Sequence, residues 1–440
     1  MNTNSRIERS RRDLLASAAV GAGGLMLGSP LQASAVKDGK AKAVIQIWMW
    51  GGPSHLDTFD PKPEAGADYC GPFNAPIETN VNGIRIGQKL PLMAQQADSY
   101  SIIRSMTHGI NAHETASYVT QTGRPVGGDV YPCAGAVVSR FKGYDAGYNG
   151  LLPPYIVLTK PQGRFSESGF MGLRYKPFAT GGKPSAPVFT VEGVIQKGIT
   201  EARQKNRRDL LASLETFGSK MKDNPEFKHM DGCQEQAYEL ILGDAGKVFD
   251  VNTEDPKLRE RYGKSDFGAS CLIARKLVEA GVPYVTINYN GWDTHKKHFD
   301  IMNTKLTELD RGFSTLLDDL RQRGLLDSTI VWWGGEFGRS PKIQWDAPWN
   351  GGRSHFGKCF SHVVAGGGFQ GGQVVGASNA TGEEVADRPV YPWDLIGSVY
   401  EQLGIDTTAR LPHPQGLDAR VCPTEADGVT MGGRLREIMS

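Results

Sequence analysis

The stretch from Pro283 to His298 reads PYVTINYNGWDTHKKH. Its first half, PYVTINYN, is a short run of β-branched and aromatic residues, the composition of a buried strand. Its second half turns polar at Gly291 and carries Asp293, His295 and His298. On both sides the period changes to that of a helix. Phe267 to Ala280 reads as one helix, stopped by Gly281. His298 to Arg323 reads as a second, with Leu306, Leu309, Phe313, Leu316, Leu317 and Leu320 at helical spacing and Gly324 as its C-cap. Helix, strand, polar loop and helix in succession form the repeating unit of an α/β sheet.

The same alternation extends outward. Val44 to Trp50 is an apolar run feeding Gly51-Gly52-Pro53, and Tyr100 to Arg104, Pro154 to Thr159, Thr329 to Trp333 and Ser361 to Ala365 are further strands. His113 to Gln121, Tyr131 to Phe141 and Pro392 to Leu403 are expected helices. The pattern predicts an α/β fold with a mostly parallel central sheet and helices on both faces. From about 160 to 250 the chain is first polar and Gly-rich, then charged and helical over Thr200 to Lys222 and Gln234 to Val248. That stretch reads as an insertion or cap outside the central sheet.

Composition narrows the classes. The chain has 440 residues, 39% hydrophobic and 22% charged, enough for a large core and incompatible with a disordered chain. Its 49 Lys and Arg against 48 Asp and Glu leave a net charge of +1, which argues against nucleic acid as partner. The 55 Gly follow no period, so the chain is not collagenous. Residues 1–35 read as an export signal: Arg6, Arg9, Arg11 and Arg12 precede an Ala- and Gly-rich apolar run from Leu14 to Leu27, and Ala33-Ser34-Ala35 offers a cleavage site. Arg11-Arg12 resembles a twin-arginine motif. The run is too short to span a membrane and no later segment reaches that length; an uncleaved anchor is the plainer alternative. None of the six cysteines forms a CxxC, and an oxidising compartment would permit disulfides whose pairing the sequence does not give.

In doubly wound sheets, ligands bind at the carboxyl ends of the strands, and the polar clusters fall there. His55 and Asp57 follow the first strand, Asp293 and His295 follow PYVTINYN, Glu336 and Arg339 follow TIVWW, and Arg353 and His355 precede SHVVA. Carboxylates with imidazoles suit a divalent metal, Zn, Mn, Mg or Ca. Arg339 or Arg353 would steady an anion with a bidentate fork. His113, Thr115 and Ser117 open a helix, a place to bind an anion or activate a nucleophile. Plainer readings stand beside these. Asp293 and His295 could be a loop pair, Glu336 a partner of Arg339, Glu114 a helix cap, and His298 the solvent-side start of its helix. His229, His362 and His413 read as structural or exposed. No GxGxxG follows the first strand, which disfavours a nicotinamide enzyme.

Together with the twin-arginine start, GGPSHLDTFDPKP, NAHETASYVTQTGRP, GWDTH, GGEFGRSP and GRSHFGK resemble the secreted bacterial proteins grouped as domain of unknown function 1501. That family is similar to the alkaline phosphatase and sulfatase superfamily. The resemblance implies a three-layer α/β/α sandwich that hydrolyses phosphate or sulfate esters with one or two metals. It implies metal ligands at Asp293, His295 and His355, with Asp57 and its neighbour His55 after the first strand. Glu336 and Phe337 stand where the superfamily usually has an Asp-His pair; Glu336 would still ligate the metal, and the His is gone. No Cys stands where a formylglycine precursor would, so Thr115 or a metal-activated water would attack, with His113 as base and Arg339 steadying the anion. The implied substrate is a small anionic ester or a sulfated or phosphorylated saccharide. The implied partner is the twin-arginine export machinery, and the location periplasmic or secreted. A non-catalytic periplasmic binding or assembly protein on the same fold is the alternative, because the Asp-His pair and the nucleophile signature are missing.

Overall fold

A computed structural model describes residues 39–161, 167–187, 189, 191, 206 and 244–440. The expected export signal, the helix from Thr200 to Lys222 and most of that from Gln234 to Val248 lie outside these residues, as does His229.

Eight strands form one sheet: β1 (Ala43–Trp48), β2 (Tyr100–Met106), β3 (Tyr155–Leu158), β4 (Phe178–Ala179), β5 (Tyr284–Asn288), β6 (Thr329–Gly334), β7 (Phe360–Ala365) and β8 (Gln373–Val375). Their order across the sheet is β8-β2-β7-β6-β1-β5-β3-β4. β1 lies at the centre, parallel to β5 through Val44↔Tyr284 and to β6 through Val44↔Ile330. Its six residues are all buried, which is why AVIQIW reads as a continuous apolar run rather than an alternating one. The one polar residue in it, Gln46, accepts hydrogen bonds from Tyr284 Oη and Thr286 Oγ1 of β5 at 3.1 and 3.2 Å. β4 falls within the stretch expected to stand outside the sheet, and adds a two-residue edge strand to it.

The principal helices are α1 (His113–Thr122), α2 (Ala134–Lys142), α3 (Asp266–Glu279), α4 (His298–Gln322) and α5 (Pro392–Gln402). Alternate strand residues face opposite ways, and each face has its own core. Ile45, Ile47, Val285, Ile287, Val331 and Trp333 pack with α3 and α4. Val44, Tyr284, Ile330 and Trp332 pack with α2 and α5. This is the expected layering of helices on both sides of a mostly parallel sheet. The apolar stripe of α4 is fully used: Leu306, Leu309, Phe313, Leu316, Leu317 and Leu320 are at most 1% exposed.

β7 departs from simple strand-helix alternation, because it runs antiparallel to both β6 and β2. Parallel neighbours need a crossover, whereas antiparallel neighbours can be joined without one. The connection from β6 to β7 holds a two-residue ribbon, Gly338–Arg339 paired with His355–Phe356, and no helix. Cys70, Cys133, Cys271, Cys359 and Cys422 are free and buried, so no disulfide joins the described cysteines. No helix among the described residues is long and apolar enough to cross a membrane.

Candidate metal centre

Asp293 and His295 follow β5, Glu336 and Arg339 follow β6, and the segment after β2 leads through His108 to His113, the first residue of α1. Since β7 runs the opposite way, His355, in the ribbon that precedes it, comes to this same edge of the sheet. Gly51, after β1, has φ +107, and a Cβ there would lie 2.2 Å from the Asp293 backbone nitrogen. Only glycine lets the two loops close at that point.

The side chains converge. One ligand atom each from His113, Asp293 and His355 lies within 4.8 Å of the others. His113 Nε2 is 3.3 Å from Asp293 Oδ2. His355 Nε2 and His295 Nε2 are each 3.1 Å from Asp293 Oδ1, and 2.9 Å from one another. Two donors on one zinc-like ion, each at about 2.0–2.1 Å, stand roughly 3.0–3.4 Å apart, so each of these pairs is spaced much as two ligands of one ion would be.

The far side of each ring sets which nitrogen carries the proton. His113 Nδ1 donates to Glu336 Oε1 at 2.7 Å, and His355 Nδ1 donates to the Asn111 carbonyl at 2.7 Å. Both acceptors lack a proton to give, so in each neutral ring the Nε2 lone pair points into the cluster. There it meets a carboxylate or another imidazole. The lone pairs of His113 and His355 and the Asp293 carboxylate are acceptors facing acceptors and need a proton or a metal cation between them, whereas His295 Nε2 can carry a proton and donate. The hydrogen bond to Glu336 raises the His113 pKa against the opposing effect of burial. Burial lowers that of His295 against the pull of Asp293. Burial works to raise Asp293, but Arg339, by hydrogen bond and charge, outweighs it and holds the carboxyl at about 2.

Glu336, expected as a ligand, instead stands behind His113. It is 0% exposed, its Oε1 also accepts from Gly51 N at 2.9 Å, and its Oε2 has no hydrogen-bond partner among the described residues. A carboxylate on the far nitrogen of a ligating histidine fixes the ring and raises its basicity. The Glu336 carbonyl accepts from His108 Nε2 at 2.7 Å and from Thr120 Oγ1 at 3.1 Å. Burial takes the His108 pKa down to about 4.

Three further expectations change. Arg339 does not offer its fork to an anion: it is fully buried, and four of its N–H groups go to the Gly51, Gly52 and Arg353 carbonyls and Asp293. Arg353 is equally committed, to Asp57, Tyr69 O and Ser340 O. Asp57 and His55 stand outside the cluster. Asp57 binds Arg353 Nε at 2.9 Å and His298 Nε2 at 2.8 Å, and although burial opposes it, Arg353 and His298 hold its carboxyl at about 2. His55 is buried, and its Nε2 lies 2.9 Å from Gly382 O. Thr115 is half-buried in the first turn of α1 and takes no part in the cluster's hydrogen bonds among the described residues.

His298 is not on the solvent side. It is 1% exposed, and its Nδ1 lies 2.6 Å from Thr294 Oγ1. Asp57 takes the Nε2 proton, so Nδ1 of the neutral ring accepts from the Thr294 hydroxyl. Burial favours that neutral form, against the pull of Asp57. Asp57, His298 and Thr294 thus make a buried chain that ends between Asp293 and His295. The sequence carries a signal for it in the i, i+4 spacing of Thr294 and His298, which places hydroxyl and ring within reach where the loop enters a helix. His362 is structural, accepting from Trp332 Nε1 at 3.0 Å.

Comparison with known proteins adds the following. No curated protein sequence matches this chain. Among solved structures it is similar to Ps i-CgsB in complex with k-i-k-neocarrahexaose, at 13% identity and TM-score 0.40 over 86% of this chain and 74% of that one. It is similar to the PsFucS1 sulfatase from Pseudoalteromonas sp., at 12% identity and TM-score 0.39 over 97% and 77%. It is also similar to the phosphonate monoester hydrolase SpPMH from Silicibacter pomeroyi, at 12% identity and TM-score 0.35 over 86% and 75%. Likenesses this loose carry no argument about reaction or substrate. The sequence itself matches one family over residues 41–430, and the chain therefore belongs to the family described as protein of unknown function, DUF1501.

Proposed function

We propose that this protein is an exported, metal-dependent hydrolase of phosphate or sulfate esters. The observation that carries the reading is the opposition of acceptors at one point: lone pairs of His113 and His355, each fixed from behind, face the Asp293 carboxylate at 3.1–3.3 Å, with His295 Nε2 3.1 Å from the same carboxylate. His113, Asp293, His295 and His355 would hold the metal. Three nitrogens and one carboxylate favour Zn²⁺ or Mn²⁺ over Mg²⁺ and Ca²⁺, which prefer oxygen donors. A metal so held supplies a Lewis acid for the ester oxygen and lowers the pKa of water. The chain's own part is to orient and to exclude competing protons. Glu336 and the Asn111 carbonyl keep the Nδ1 protons out of the cluster. Arg339 keeps Asp293 ionised and ties it to the β1 loop. No hydroxyl of the chain is assigned the attack; a water does it. Export rests on Arg11-Arg12 and the apolar run behind them, and the periplasm or exterior is the proposed location.

The test is metal analysis of the full chain purified without chelator, with turnover of para-nitrophenyl phosphate and sulfate. The expected result is roughly one equivalent of a transition metal, with metal and turnover both lost in His295→Ala. Turnover that survives in His295→Ala, or a metal-free protein that is fully active, overturns the reading. Stoichiometric metal with no turnover of either ester leaves the alternative, a binding protein on the same fold.

A further inference from the structure

Tryptophan is highly buried on average, because its large ring carries much of the gain available from burial. Trp48, Trp292, Trp332 and Trp333 are at most 1% exposed here. Trp345 and Trp349 are 45% and 36% exposed, and both stand on the loop that leads from β6 back to His355. The loop is fastened to the ligand-bearing segment. Lys297 N donates to Trp349 O at 3.1 Å, and His298 N to Gly351 O at 3.3 Å. Within the loop, Trp349 N donates to Asp346 O at 2.9 Å and Gly351 N to Gln344 O at 2.9 Å. Phe299 of α4 stacks beneath Trp345 at 5.9 Å and 18°. The Trp349 ring centre is 6.3 Å from that of His295, and Lys296 Nζ is 6.0 Å from the Trp349 ring. Folding leaves these indoles exposed, and sets one of them beside His295 with an exposed ammonium over its ring.

We propose that Trp349, with Lys296, forms a subsite for the organic half of the substrate, and that this half is a flat-faced ring. The inference rests on the reading of the neighbouring cluster as an ester-hydrolysing centre, and it names the substrate class: an anionic ester carried on a ring, not on an open chain. The anion's charge faces the metal and Lys296. The ring lies on the indole, which offers a broad polarisable face at little cost in side-chain freedom. An aromatic ring and the C–H face of a pyranose share this chemistry, so the test separates them.

The probes are three sulfonates, whose C–S bond the proposed reaction does not cleave: methanesulfonate, benzenesulfonate and the pyranose sulfonate sulfoquinovose. Each is titrated calorimetrically into the metal-loaded full chain, the Trp349→Ala variant and the Trp349→Phe variant. Ring stacking of about 0.5–1.5 kcal/mol predicts that a ring-bearing sulfonate binds about 2- to 13-fold more tightly than methanesulfonate. Trp349→Ala removes that preference and leaves the metal content as it was; Trp349→Phe keeps most of it. Which ring-bearing sulfonate shows the preference tells an aromatic occupant from a saccharide. Equal binding of all three, or a preference undiminished in Trp349→Ala, overturns the subsite. Failure of every sulfonate to bind a chain that holds its metal overturns it too. A chain that binds no metal instead fails the reading of the cluster, and the metal analysis reads that separately. Trp349 is exposed, so neither substitution removes a core contact.

Discussion

Thr294 is a buried hydroxyl between two proposed ligands, and its one strong partner is a histidine anchored by Asp57. Its value lies in aim rather than in bulk. Thr294→Val keeps the shape and deletes the hydrogen bond, and outer partners of metal ligands typically set about 10- to 100-fold in metal affinity. A loss of that size is expected in a chelator competition, with the thermal midpoint of the metal-free protein moved far less and the affinity restored in Thr294→Ser. Asp57 belongs to stability. It is buried and neutralises a fully buried Arg353. Asp57→Asn strands that guanidinium, and breaking a buried pair from one side costs about 3–5 kcal/mol, to be read from denaturant unfolding. The sign of its pH dependence follows from a folded pKa of about 2, below the ordinary 3.8. Its contribution is present above pH about 4 and is lost as the pH falls toward 2. Acid unfolding in that window should shrink in Asp57→Asn relative to the native chain.

The elements show what a one-dimensional pattern can and cannot reveal. Pro283 to Asn290 and His298 to Arg323 read directly as strand and helix because each has one period and one apolar face, and they appear as Tyr284–Asn288 and His298–Gln322. That Asp293, His295 and His355 gather at one edge of the sheet was legible because they sit beside strand ends. The reversed direction of β7 was not, since period-2 patterning is the same for a strand run either way. Nor were the roles of Asp57, Glu336, Arg339 and His298. A charged residue in a loop looks the same whether it faces a ligand or a buried partner, and only the packing of distant loops decides. One loop contact shows how close that packing is: a Cβ on Gly352 would lie 1.9 Å from His295 O. Gly352→Ala should therefore push the His295 loop aside. We expect a circular dichroism spectrum like that of the native chain and a large fall in bound metal; unchanged metal content would show that the loop yields without moving the ligand.

Over the whole molecule, the proposed ligands come from three separate segments, around His113, Asp293 to His295, and His355. An ion binding all of them ties the β2, β5 and β6–β7 connections together in the folded chain alone. Stripping the metal should lower the thermal midpoint, since a ligand present at about 1,000 times its dissociation constant adds about 4 kcal/mol to stability. A midpoint indifferent to chelator and to added Zn²⁺ or Mn²⁺ would count against the site.

The five buried thiols among the described residues have a consequence of their own. Burial raises the pKa of each, to about 12 for Cys359 and about 11 for Cys422, and upward for Cys70, Cys133 and Cys271. The thiolate is the form that reacts, so these sulfurs are shut off from oxidants and alkylating agents alike while the fold holds. Among the described residues the core closes without a disulfide, and it would hold in a reducing compartment and an oxidising one alike, as the proposed export of a folded chain requires.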